Sequence, residues 1–164
     1  MRKANYDKFP STKLTGMLVQ GWDSIISMLK EKMDARKVLA VDLYTGVYEE
    51  EVLGAFSKEF SGRVMNVRDL MKPEKEIQAL TERFMTEDVL FGYVTNLKLE
   101  DYLDGDKVAA ARKQISEAKE TIVIIGTGAA VVAPQDAMVV YVDMARWEIQ
   151  QRFRRHEVKA LGID

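Results

Sequence analysis

Val38-Leu39-Ala40-Val41-Asp42-Leu43 decides the fold. Six residues rich in branched aliphatics, interrupted only by Asp42, read as a strand buried on both faces. Tyr44-Thr45-Gly46-Val47-Tyr48 then reads as a turn, and Glu49-Glu50-Glu51 opens a helix whose Val52, Phe56 and Phe60 recur at i, i+4 and i+8. A phosphate-gripping turn at this place needs G-x-x-x-x-G-K-[ST], which brings backbone amides, a lysine and a helix N-terminus onto one anion. This turn has one glycine, no lysine and no hydroxyl in the magnesium-ligand position. The three glutamates complement the helix dipole, yet they put negative charge where a nucleotide phosphate would sit. The turn is expected to be closed to ATP in the usual mode.

The same alternation continues outward. Before the strand, Ile25, Ile26, Leu29 and Met33 recur at helical spacing, with Asp23 as the expected N-cap and Lys30 and Lys32 facing outward. After Gly62, residues 63–67 read as a strand, and Pro73 starts a helix with Ile77, Leu80 and Phe84 inward. A weaker apolar segment at 89–94 precedes a helix from near Asp106 that carries Val108, Ala111, Ile115 and Ala118 on one face. Residues 121–125 and 138–142, the latter after the Pro134-Gln135-Asp136 turn, are almost unbroken apolar runs. Such runs are what strands covered by helices on both faces require. The expected fold is α/β, a three-layer sandwich with a mostly parallel sheet. It forms a single domain over 1–164, with its core in 36–160 and an extended arm or edge strand in 1–20.

Composition sets limits on function. At 164 residues and 47% hydrophobic content, one well-buried domain is expected. The 24 basic residues are outnumbered by 26 acidic ones, giving a net charge of −2 and no general attraction for nucleic acid. No cysteine occurs, which rules out disulfides and thiolate chemistry and fits a reducing cytoplasm. The longest apolar stretch, 122–133, is broken by Gly126 and Gly128 and is too short to cross a bilayer, so no membrane partner is expected. With one histidine a zinc site is not expected and no metal ligand is assigned, while an all-carboxylate magnesium site stays open.

Ligands in such sheets bind beyond the carboxyl ends of the strands, which makes Asp42, Asp69, Gly126, Gly128 and Asp143 one expected rim. Asp69 has the chemistry of a base for phosphoryl transfer; the alternative is a cap or a partner of Arg68. Gly126-Thr127-Gly128 allows close backbone approach to a ligand, but position 131 is Val, so G-x-G-x-x-G is incomplete and a strand-exit turn is the plainer reading. Asp143 is the expected cap of a helix from Ala145. Along that helix Glu148, Arg152, Arg155 and Lys159 form one stripe, and Ile149, Phe153 and Ala160 another. Arg152 and Arg155, with Gly126 and Gly128, make a candidate phosphate site, because guanidinium groups bind oxyanions in a bidentate way. The competing reading is a solvated face with a Glu148–Arg152 pair worth about 0.3–0.5 kcal/mol. His156 reads as packed or solvent-facing, and Trp22 and Trp147 as core or rim packing.

Two resemblances follow from these residues. The order of strand, helix, Arg68-Asp69, helical region, Thr121-Ile122-Val123-Ile124-Ile125-Gly126, Val139-Val140-Tyr141-Val142-Asp143 and then Arg146, Arg152, Arg154 and Arg155 resembles the uridine-kinase and phosphoribulokinase branch of P-loop kinases over about residues 36–160. That resemblance implies a lid-forming arginine helix and Asp69 as base, but without the phosphate loop (Walker A). Across the whole chain, Asn5-Tyr6-Asp7-Lys8-Phe9-Pro10, Gln20-Gly21-Trp22-Asp23, Gly46-Val47-Tyr48 and the run from Asp143 to Arg155 look like the N-terminal region of long class I mannose-6-phosphate isomerases of Bacteroides-type bacteria. There the region precedes a zinc-dependent cupin isomerase. This resemblance implies a fragment of a longer chain, a C-terminal isomerase domain as its partner, and zinc only in that separate domain. The expected role is a degenerate kinase-like module for binding, regulation or structure, which leaves a phosphate-bearing small molecule as a candidate ligand. The alternatives are an active nucleoside or sugar kinase with an atypical phosphate site, and an oligomerisation domain.

Overall fold

The computed structural model describes residues 10–13, 15–33, 35–60, 62–88 and 92–163. In chain order these form α1 (Trp22–Met33), β1 (Val38–Leu43), α2 (Glu49–Glu59), β2 (Arg63–Asn66), α3 (Glu74–Thr81), α4 (Gly105–Glu117), β3 (Ile122–Gly126), α5 (Ala129–Val132), β4 (Met138–Val142) and α6 (Arg146–Arg154). Short 3-10 turns occupy Val67–Leu70, Glu82–Phe84 and Leu99–Tyr102. All four strands are parallel and lie in the order β2-β3-β1-β4. The fold is the expected α/β sandwich.

Strand periodicity divides the core in two. Leu39, Val41 and Leu43 of β1 and Val123 and Ile125 of β3 pack against Ile26, Leu29 and Met33 of α1 and Val52 and Phe56 of α2. The alternate residues, Val38, Ala40, Ile122 and Ile124, meet Ile77 of α3, Val108 and Ile115 of α4 and Val132 of α5. Successive strand side chains point to opposite faces, so the unbroken apolar runs supply both layers at once. At about 25 cal/mol per Å² of buried apolar surface, each fully buried aliphatic here contributes roughly 1.5–3 kcal/mol.

Edges and ends differ from the sequence reading. β4 is apolar throughout but covered on one face only: Val139 is 53% and Tyr141 57% exposed, because α5 is a single turn too short to shield them. Of the expected arm or edge strand over 1–20, residues 10–13 and 15–20 form no strand and leave Met17 and Leu18 exposed, while residues 1–9 and Leu14 lie outside the described residues. Of the 89–94 segment, 89–91 also lie outside them and 92–94 are exposed coil. Asp23 sits in the first turn of α1 and does not cap it. Pro73 is the N-cap of α3, which ends at Thr81, with Leu80 and Phe84 half-buried. Asp104 caps α4 by accepting the amides of Asp106 and Lys107 at 3.0 and 3.1 Å. No helix among the described residues is long and apolar enough to cross a membrane.

The strand order creates a switch point. From β1 the chain passes through α2 on one face to the outer position of β2; from β3, beside β1, it passes through α5 on the other face to β4. Connections leaving two neighbouring strands in opposite directions open a crevice at their carboxyl ends. Asp42 holds that crevice in shape. It is the one buried charged residue of the described core, at 9% exposure, and its carboxylate oxygens accept the amides of Gly128 at 3.1 Å and Ala130 at 2.8 Å. Gly128 is left-handed at φ +91°, and Gly126, at φ +135°, has no room for a Cβ against Val67. Asp42→Ala would strand the buried Gly128 amide and leave the part-buried Ala130 amide without its acceptor, and is expected to cost about 1–3 kcal/mol, with Asp42→Asn, which keeps one acceptor, losing roughly half as much. Urea unfolding of the two variants measures both.

Candidate functional site

A cleft of about 710 Å³ lies at the switch point. Its floor is the end of β1 with Gly126 and Thr127; its walls are the Tyr44–Tyr48 turn, the first turn of α2, Arg68 and Met71, and the chain segment from Glu157 to Gly162. That last segment is a strap. α6 ends at Arg154, and His156 takes the left-handed conformation, φ 55°, which turns the chain back across the cleft. The far end of the strap is seated by Gly162, where a Cβ would collide with Ile77, and by Arg68, whose Nη2 donates to the Ile163 carbonyl at 3.2 Å. Leu161 and Ile163 join the apolar layer beneath.

The turn in the position of a phosphate loop presents a carbonyl. Gly46 is left-handed at φ +91° and packs so closely on Ile149 of α6 that an added Cβ would lie 3.1 Å from it. The Gly46 carbonyl accepts from Arg152 Nη1 at 2.8 Å. The same guanidinium lies 3.6 Å from the centroid of the Tyr48 ring and donates through Nε to Glu148 at 3.3 Å. Hydrogen bond, cation–π contact and ion pair together fix one cation over the turn. A loop that binds phosphate turns its amides toward the anion; this one turns an acceptor toward an internal cation.

Arg155, the C-cap of α6, is committed as well. Its Nε and Nη2 grip both carboxylate oxygens of Glu157 at 2.7 and 2.8 Å, and Nη2 also reaches Glu148 at 3.1 Å. Tyr48 Oη donates to Glu157 at 2.7 Å. Arg155 first, and then Tyr48, hold the Glu157 carboxyl down at about 2, and Arg155 with Arg152 also lowers Glu148. In return, the hydrogen bond to Glu157 raises the Tyr48 hydroxyl above its ordinary range. The network ties the start of α2, the end of α6 and the start of the strap into one unit.

Of the residues proposed from sequence, the structure brings Arg152 and Arg155 together, at the Gly46 turn, where their contacts are to protein groups. Gly126 forms the cleft floor, while the Gly128 amide is spent on Asp42. Asp69 is exposed on the 3-10 turn after β2 and does not line the cleft; its neighbour Arg68 does. Asp143 accepts the amide of Met144 at 2.8 Å, and the N-cap of α6 is Ala145. Lys159 lies beyond α6, on the strap, so the stripe read from Glu148 to Lys159 is not continuous. Trp22 lies edge-on to Phe56 and donates to Glu51 at 3.0 Å, whereas Trp147 is 69% exposed and packs in neither core nor rim.

The cleft carries four carboxylates, Glu49, Glu50, Glu51 and Glu157, against the cations Arg68 and Lys159. Glu49 Oε1 is buried with no hydrogen-bond partner among the described residues. Among those residues no group of three His, Cys, Asp or Glu side chains converges as a metal site. Sequence reasoning missed Tyr48, Glu157 and the Gly46 carbonyl; the one local sign was a glutamate two residues after Arg155.

A model of the domain of unknown function DUF8485 matches residues 21–164. The chain belongs to the DUF8485 family. No curated protein and no solved structure matches it. In this DUF8485 chain the matched region takes in every helix and strand of the described fold together with the strap.

The strap contact has a pH signature. Because the Glu157 carboxyl is held near 2 in the fold and returns to an ordinary carboxylate value when released, its contribution is complete above about 4.5 and is lost as pH falls toward 2. Carbon-13 NMR of the Glu157 carboxyl should titrate near 2, and Arg155→Ala should bring that midpoint up toward the ordinary value.

Proposed function

We propose that this chain is a kinase-like α/β domain that does not transfer phosphoryl groups and serves as a binding or regulatory module within a larger protein. The observation that carries this reading is Arg152, fixed on the Gly46 carbonyl, the Tyr48 ring and Glu148. An incoming phosphate would have to displace it and would meet a carbonyl oxygen in place of amides. The exposed position of Asp69 outside the cleft supports the same reading, since a base must lie within reach of the proton it takes.

The resemblance to the N-terminal region of long mannose-6-phosphate isomerases supplies the larger protein: a cupin isomerase domain in the same polypeptide, in the cytoplasm, where a chain without cysteine is at home. One histidine cannot furnish the His and Glu ligands of such an isomerase, so the chemistry belongs to that partner domain. For this domain the reading leaves the cleft as the seat for a small molecule that is not phosphorylated there.

Calorimetry with magnesium-ATP and an isomerase assay with added zinc test the proposal together. No heat of binding at millimolar nucleotide and no turnover are expected; a micromolar Kd or metal-dependent turnover by homogeneous protein would overturn it. Arg152→Ala should also lower stability by about 1–3 kcal/mol through the lost charged hydrogen bond and stacking.

A second reading, assembly of copies through β4, is favoured by the uncovered Val139 and Tyr141 on an edge strand without a charge in it. Sedimentation velocity decides it: a dimer that Tyr141→Lys dissociates supports assembly, and a monomer retires it.

A further inference from the structure

A second cavity, of about 920 Å³, lies at the opposite end of the sheet from the cleft, at the amino ends of β1 and β3. Its floor is apolar and built from core residues: Val38, Ile115, Ile122 and Val132 are each no more than 8% exposed. Its rim carries Lys32 at the end of α1 and Arg36 and Lys37 on the loop into β1. None of these three charged heads has a carboxylate or carbonyl partner among the described residues. The fourth cation, Arg112 of α4, is fixed by bonds to the carbonyls of Val131 at 2.7 Å and Val132 at 3.4 Å, which braces the wall between α4 and α5. Glu120 and Asp136 also border the groove, so its charge is positive by a narrow margin in a chain whose net charge is −2.

We propose that this groove binds a small amphiphilic anion, a monocarboxylate with an apolar body. The volume is that of a small-molecule site, the floor takes the body, and Arg36 with Lys37 and Lys32 takes the head. The modest positive excess matches a single charge better than a polyanion, which Glu120 and Asp136 would repel. Cations at this end have another use, because α1, α4 and α5 all finish here and a helix carboxyl end favours positive charge. That use explains charge on the rim; it does not explain a cavity of about 920 Å³ that reaches down to core residues beneath it.

Octanoate is the probe, 1-octanol its uncharged control, and amide NMR of the full chain the readout. Octanoate should give saturable shifts at Val38, Ile115 and Val132, with octanol binding about tenfold more weakly, and Arg36→Gln with Lys37→Gln should remove roughly that tenfold advantage. Added salt should weaken octanoate but not octanol in the unmodified chain, which keeps the test open if the double variant does not fold. Equal binding of acid and alcohol, or binding unchanged in a folded double variant, would overturn the proposal. So would shifts confined to other surfaces, or a response only to an acidic peptide and not to octanoate.

Discussion

The two bonds from the Asp42 carboxylate to the amides of Gly128 and Ala130 are the constraint on which the rest of the cleft depends. The β1–β3 ladder runs up to Asp42 opposite Gly126, and beyond it the ends of β1 and β3 send the chain to opposite faces. A buried carboxylate on one strand, bonded to the exit turn of the next, extends that connection past the end of the ladder. With the β3 exit turn fixed, Gly126 packs on Val67, and the 3-10 turn that carries Arg68 is set on the cleft wall. Arg68 in turn reaches the Ile163 carbonyl and seats the strap.

A second, independent closure comes from α6. Arg152 and Arg155 use their guanidinium groups on Gly46, Tyr48, Glu148 and Glu157, with contacts running from the turn before α2 to the strap. Arginine suits this work because its planar head can stack on a ring while its edges bond in fixed directions. Both rims of the crevice are thus held by the protein's own charges. What remains is a cleft whose acidic groups outnumber its cations, unlike a site built to neutralise a nucleotide triphosphate.

Much of the fold is legible in the sequence because it rests on local regularities. Apolar runs at 38–43 and 122–125 and helical spacing in 52–60 and 108–115 follow from burial period alone, and each forms the element it predicts. The misreadings lie where distant parts meet. Asp42 reads as a ligand-facing rim residue because nothing local announces that its acceptors will be filled from 86 and 88 positions away. Arg152 reads as a phosphate clamp because its true partner is a backbone carbonyl 106 positions away, which has no sequence signature. β4 reads like β3, since composition alone does not say that the helix after β3 has one turn and leaves half of the next strand bare. The helical stripe through Lys159 fails at His156, whose left-handed backbone breaks the period.

The turn after β1 is occupied by an internal arginine, bonded to the Gly46 carbonyl and stacked on Tyr48. The most direct measurement follows the Arg152 Nε–H signal and the amides of residues 44–51 by nitrogen-15 NMR as magnesium-ATP is added. A slowly exchanging Arg152 signal and turn amides that do not move are the expected result. Saturable shifts at Thr45 to Glu51, with Arg152 released into fast exchange, would contradict it.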